Sequence, residues 1–131
     1  EAASLQNALV LDEIDPALLP ALLAKCHVGI VALHPAHNTH NIPGKLLTYL
    51  HAGLPVLARV NPHNDLVAVI EQEGIGCVVG GDNPALLHAG AERLADDARL
   101  REVMGAQGRE VAVRMFSPMA AASQVVAGLD R

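Results

Sequence analysis

The sequence is poor in aromatic residues and in cysteine: 131 residues include no Trp, one Phe, one Tyr and two Cys. The core must therefore be built from Ala, Val, Leu and Ile, since apolar residues still make up 51% of the chain. That mixture suits helices packed on a buried sheet. Neither Cys26 nor Cys77 has a second cysteine at metal-binding spacing, so both are expected to be buried free thiols in a reducing compartment.

Basic residues are also scarce. Nine Lys and Arg against fourteen Asp and Glu give a formal net charge of -5, with no basic patch. This argues against nucleic acid or an anionic membrane as the main partner. No apolar run is long enough to span a bilayer, and the first ten residues lack the pattern of a signal peptide. We therefore expect a cytoplasmic protein, and peripheral attachment at the inner face of the membrane through another part of the protein stays open.

Short apolar runs alternate with helical patterns along the whole chain. Continuous rather than alternating apolar character predicts a parallel sheet covered by helices on both faces, hence an α/β fold. The predicted strands are 8–11, 28–33, 55–58 and 76–79. The first predicted helix is 15–25, with Pro20 bending it or marking its true start. The second is 43–53, and the third is capped by Asn61 or Asn64 and continues to 73. The last three are 84–97, 97–116 and 118–128.

In such sheets ligands bind beyond the carboxyl ends of the strands. The loop 34–42 lies at such an end, as does the segment 59–64. Pro43, Gly44 and Lys45 follow the first loop in the opening turn of a helix, where unpaired N–H groups and the positive end of the macrodipole favour an anion such as a diphosphate. Gly44 would allow close approach of a phosphate, and Lys45 would add a charge. An ordinary helix start with a solvated Lys45 is the competing interpretation.

The same loop carries His34, His37 and His40. Three histidines can ligate zinc if they converge, but Pro35 and the neighbouring asparagines disfavour the helix on which this spacing works best. The loop also lacks Asp, Glu and Cys. Polar residues facing a ligand are therefore favoured over a metal site, and we predict neither a metal nor a cofactor.

No catalytic residue can be assigned from motifs. The chain has no Walker loop, no GxGxxG and no nucleophile elbow. Asp65, Glu71 and Glu73 are not spaced for acid–base work, and we interpret them as a charge near a helix cap and a solvated helix end.

Four segments, LLAKCHVGIVALHP, NIPGKLLTYLHAGLPVLA, IGCVV and MFSPMAAASQVV, together resemble the C-terminal, donor-binding half of GT-B glycosyltransferases of the bacterial lipopolysaccharide and capsule type. The resemblance covers nearly the whole chain, and its most specific part is PGKLLxYLxAGxPV. It implies a Rossmann-like, doubly wound domain that binds a nucleotide-diphosphate sugar. It also implies a saccharide or lipid-linked acceptor, bound by a separate N-terminal domain, and transfer with retention of anomeric configuration.

Two positions depart from the family pattern. Many relatives carry two glutamates eight positions apart around the phosphate-binding turn, and these align with His40 and Thr48. The first is associated with the donor sugar and the second with the ribose hydroxyls. The resemblance therefore implies donor sugar or ribose contacts at His40, Asn41 and Thr48, although Thr48 has one hydroxyl where a carboxylate accepts two hydrogen bonds.

The resemblance further implies that residues 1–131 are part of a nucleotide-sugar-binding domain, without its first strands and without the acceptor domain. Strand 8–11 would then lie two strands away from 28–33, so we expect rearrangement or a homodimer and no enzymatic activity from this part alone. A non-catalytic nucleotide-binding or interaction module is the alternative. The two differ in whether the gene continues upstream with an N-terminal domain.

Overall fold

A computed structural model describes residues 5–34 and 42–129. Within them the chain forms one parallel sheet in which β1 (Gly29–Ala32), β2 (Val56–Val60) and β3 (Gly76–Gly80) lie side by side in chain order. Helices connect and flank the strands: a 3₁₀ turn at Pro16–Leu18, α1 (Leu19–Leu23), α2 (Gly44–Ala52), α3 (Asp65–Glu73), α4 (Pro84–Asp96), α5 (Ala98–Phe116) and α6 (Pro118–Leu129).

The helix ends follow local sequence signals. Asn64, Asn83 and Asp97 each accept a hydrogen bond from a backbone N–H in the first turn of the following helix. Gly53 ends α2 in the left-handed conformation, with φ of 72°. The predicted helices from residue 43 onward are therefore confirmed, and of the two asparagines considered for α3, Asn64 is the cap.

Helices cover the two faces of the sheet unequally. On one face, α2 and α3 pack on β2, and α5 packs on these two helices. The core between them consists of fully buried residues: Leu46, Leu50, Val56, Ala58, Val60, Leu66, Ile70 and Ala112. On the other face, α4 lies over β2 and β3. There Leu57, Leu94 and Met104 form a smaller cluster. The α/β class and the parallel sheet flanked by helices are confirmed, and the arrangement is consistent with a Rossmann-like fold.

The predicted strand 8–11 is wrong, so the sheet of the described residues has three strands and not about four. Leu9 and Val10 are 81% and 94% exposed, and the segment pairs with no strand. A short apolar run becomes a strand only where a neighbour accepts its hydrogen bonds. Among the described residues β1 pairs with β2 alone, which leaves its other edge open.

The expectation that helices cover both faces holds for β2 but fails for β1. Val31 is buried under α2, whereas Ile30, which points to the opposite face, is 58% exposed. The cause is that α4 packs on β2 and β3 and does not extend over β1.

Two local expectations near the start also need correction. The helix predicted for 15–25 is a 3₁₀ turn capped by Asp15, followed by α1 with Pro20 as its second residue, where proline is tolerated. Cys26, expected to be buried, is exposed, and Cys77 is half-buried; both are free thiols. Among the described residues no helix combines the length and apolar character needed to cross a membrane.

Candidate functional site

The carboxyl ends of the three strands lie together at one end of the sheet, because the strands are parallel. We call this end the carboxyl edge, as distinct from the lateral edge of β1. The chain passes from β1 through His34 towards α2, from β2 through Asn61 to α3, and from β3 through Gly81 to α4. Three helices therefore begin at this edge. Asn64 and Asn83 cap α3 and α4 with their side chains.

The first turn of α2 has no such cap. Pro43 precedes the helix in an extended conformation (φ -62°, ψ 138°) and its side chain offers no acceptor. Gly44 and Lys45 are exposed, and a Cβ at Gly44 would find no heavy atom within 4 Å. The N–H of Leu46 donates to the Pro43 carbonyl at 2.9 Å. Those of Gly44 and Lys45 precede the first intrahelical bonds, at the positive end of the macrodipole, which suits an anion.

Thr48 lies one turn further along α2, half-buried and facing α1. Its hydroxyl donates a 3.3 Å hydrogen bond to the Gly44 carbonyl. It lines a cleft of about 390 Å³ between the two helices. The remaining lining is apolar apart from one histidine: Pro16, Leu19, Pro20, Leu23, Ala24, His51 and Ala52. Such a cleft accepts a flat, mostly apolar group and offers it few hydrogen bonds.

The structure thus brings together Pro43, Gly44, Lys45 and Thr48, the predicted phosphate and ribose residues, on the first turns of one helix. His37, His40 and Asn41 lie outside the described residues. His34 follows β1 after one intervening residue, Leu33. Across residues 5–34 and 42–129, no group of three or more His, Cys, Asp or Glu is arranged to hold a metal ion.

Sequence reasoning missed an ion pair at this edge. Arg59, the fourth residue of β2, donates from Nη2 to Oδ1 of Asp82 in the loop after β3. A charged residue inside the otherwise apolar run PVLARV was the available signal. Asp65 is the first residue of α3, as expected for a charge near a helix cap. Glu73 was expected to lie at a solvated helix end, but it pairs with Arg114.

Comparison with known proteins adds no relative: no protein-family model, curated protein or solved structure matches this chain. Membership of the GT-B glycosyltransferases therefore remains a prediction from the quoted residues.

Proposed function

We propose that this chain is the nucleotide-sugar-binding part of a GT-B-type glycosyltransferase, with a Rossmann-like, doubly wound fold. One observation carries the proposal. The uncapped first turn of α2, with open space at Gly44, is followed one turn later by Thr48, which lines the cleft between α1 and the second half of α2. A charged subsite and an apolar subsite are therefore adjacent on one helix.

The first turn of α2 would hold the diphosphate. Its backbone N–H groups donate to phosphate oxygens, the macrodipole stabilises the negative charge, and Lys45 adds a full positive charge. Gly44 has no side chain between these donors and a ligand. During transfer the diphosphate is the leaving group, and the same groups would stabilise the charge that develops on it.

The cleft between α1 and α2 would hold the nucleoside. Gly44 and Thr48 are four residues apart, which corresponds to about 6 Å along a helix and is comparable with the span from the diphosphate to the ribose hydroxyls. The cleft volume of about 390 Å³ lies within the range of small-molecule sites. Thr48 would meet the ribose, and the apolar wall of α1 would pack against the base.

The remaining parts of the proposal rest on the resemblance. His40 and Asn41 would contact the donor sugar. An N-terminal domain would hold the saccharide or lipid-linked acceptor, in the synthesis of a cytoplasmically assembled surface polysaccharide. The open edge of β1 would be completed by strands from the same protein or, for this part alone, by a second copy in a homodimer.

The experiment is a calorimetric titration of the purified protein with nucleoside diphosphates and nucleotide-diphosphate sugars. Gly44→Val should weaken the best ligand by about tenfold or more, equivalent to about 1.4 kcal/mol, because the added methyl groups occupy the space of the phosphate. Gly128→Val is the matched control, since a Cβ at Gly128 also meets nothing within 4 Å and Gly128 lies in α6.

Circular dichroism should show the same helix content in both variants. If the protein binds none of these ligands, the proposed function is wrong. If it binds one and Gly44→Val matches Gly128→Val in affinity, the phosphate does not lie at the start of α2.

A further inference from the structure

Three of the arginines have structural partners at the amino-terminal end of the sheet. Arg101 donates to the carbonyls of Leu94 and Ala95 at the end of α4, at 2.6 and 2.7 Å. Arg109 donates to the Ala52 carbonyl at the end of α2. Arg114 pairs with Glu73 at the end of α3. These contacts satisfy or neutralise helix C-termini, so each of these arginines has a role in the fold.

Arg59 lies at the opposite end. It is in register with Ala32, the last residue of β1, and its carbonyl accepts a 2.8 Å hydrogen bond from the N–H of Leu33. Ala58 and Val60 on either side of it belong to the core under α2 and α3. Because side chains alternate along a strand, Arg59 points to the other face of the sheet. The C-termini of the helices that begin at this edge, α2, α3 and α4, lie at the other end of the sheet, so capping of these helices does not explain the residue.

The turn after β3 places a carboxylate beside this guanidinium. Gly81 adopts a φ of 86°, and its N–H donates to the Val60 carbonyl at 3.0 Å. The next residue is Asp82, whose Oδ1 accepts from Nη2 of Arg59. The Asp82 side chain is 75% exposed and that of Arg59 is 28% exposed. A pair this open to water adds little to stability, but it restricts the orientation of the guanidinium.

A guanidinium has five N–H donors arranged as a fork, and the contact with Asp82 involves one of its nitrogens. The fork matches the oxygens of a phosphate better than an ammonium group does. Lys45 is the second residue of α2 and Arg59 is one residue before the end of β2, so both lie close to the carboxyl edge, whereas Arg93 of α4 lies in the last turn of its helix. A diphosphate carries more negative charge than one lysine neutralises.

We propose, on the basis of the function proposed above, that Arg59 is a second cation of the donor site. It contacts the diphosphate of the nucleotide sugar from the sheet, opposite the contacts made by the first turn of α2. Asp82 is a positioning residue that holds the guanidinium at the edge when no ligand is bound and orients it when one is.

The test compares Arg59→Gln with Arg114→Gln, because both substitutions break an arginine–carboxylate pair and the two pairs lie at opposite ends of the sheet. The ligands are a nucleoside diphosphate that binds the wild-type protein and the corresponding nucleoside. Arg59→Gln should weaken the diphosphate by about tenfold or more and leave the nucleoside unchanged. Arg114→Gln should leave both unchanged.

The salt dependence of binding gives a readout that a purely structural role would not move. Affinity for the diphosphate should fall less steeply with added salt in Arg59→Gln than in the wild type, since one charge contact is lost. Asp82→Asn should weaken diphosphate binding, but by less than Arg59→Gln does. Asp82→Glu keeps a carboxylate and should bind the diphosphate like the wild type. Asp82→Asn combined with Arg59→Gln should bind no more weakly than Arg59→Gln alone.

The failures of the two proposals are distinguishable. If Gly44→Val weakens the diphosphate and Arg59→Gln does not, the role of Arg59 is wrong and the donor site stands. Equal losses for nucleoside and diphosphate would also overturn the role of Arg59. If Arg59→Gln lowers the melting temperature so far that binding cannot be measured, Arg59→Lys replaces it. Arg59→Lys keeps the positive charge and loses the forked N–H donors of the guanidinium. If Arg59→Lys bound the diphosphate as tightly as the wild type does, the proposed contact through those donors would be wrong.

Discussion

In the proposed site, Thr48 would serve both its own helix and the ligand. Its hydroxyl proton is directed to the Gly44 carbonyl one turn earlier. The oxygen nevertheless keeps lone pairs that can accept a hydrogen bond from a ribose hydroxyl in the cleft between α1 and α2. A carboxylate at this position would accept two such bonds, so in the proposed site a threonine should hold the ribose less firmly.

Thr48→Ala should therefore weaken nucleoside diphosphate binding by about 0.5 to 1.5 kcal/mol, the value of one net hydrogen bond, or about 2- to 13-fold. Calorimetry against the wild type measures the loss. Thr48→Ser keeps the hydroxyl and should bind nearly as well as the wild type. Equal affinities for Thr48→Ala and the wild type would show that the ribose does not reach this helix.

Residue roles were predictable where the partner is near in sequence. Asp65 and the caps at Asn64 and Asn83 follow from contacts within three residues. Arg59 and Arg114 were not predicted, because their carboxylate partners are 23 and 41 residues away along the chain. Only the fold brings such pairs together. The sequence therefore did not show that Arg59 joins Lys45 as a cation at the proposed donor edge.

At the scale of elements, helices were predicted better than strands for the same reason. A helix closes its hydrogen bonds within one segment, and its caps and terminal glycines are local. A strand depends on its neighbours. The segment 8–11 has the composition of a strand but no partner, whereas β2 extends to Val60, two residues beyond the predicted end, and Gly81 beside it donates to the Val60 carbonyl.

The contact between α2 and α5 gives a prediction for stability. A Cβ at Gly105 would overlap the carbonyl oxygen of Gly53, and backbone cannot move aside as a flexible side chain does. Gly105→Ala should therefore lower the free energy of unfolding by about 1 to 3 kcal/mol, as overpacking does, despite the higher helix propensity of alanine. Urea denaturation measures the change.

Gly128→Ala in α6 is the control for that experiment. A Cβ there meets nothing within 4 Å, so helix propensity alone acts and stability should stay the same or rise by up to about 1 kcal/mol. A Gly105→Ala protein as stable as Gly128→Ala would mean that α2 and α5 do not pack this closely.

At the scale of the whole molecule, β1 and β3 are both edge strands of the described sheet, and β1 is in addition uncovered on one face. A groove of about 380 Å³ runs over β1 beside α4, with Ile30, Leu57 and Leu94 in its lining. Composition predicted the α/β class and the parallel sheet. It did not predict that β1 would expose both an edge and a face, because coverage depends on where α4 packs.

The open edge of β1 has a consequence for the exchange of amide hydrogens with water. The N–H groups of Gly29 and Leu33 donate to carbonyls of Pro55 and Arg59, at 2.9 and 2.8 Å. Alternate N–H groups of a parallel strand point the other way, so those of Ile30 and Ala32 face the open edge.

In deuterium oxide, NMR should therefore show slow exchange at Gly29 and Leu33 and fast exchange at Ile30 and Ala32, a protection pattern with a period of two residues. Uniform fast exchange along β1 would contradict its pairing with β2. Protection of Ile30 and Ala32 that grows with protein concentration would show a second copy bonded to the edge. The deuteration pattern of this one strand therefore reports whether the sheet ends at β1 or continues into another chain.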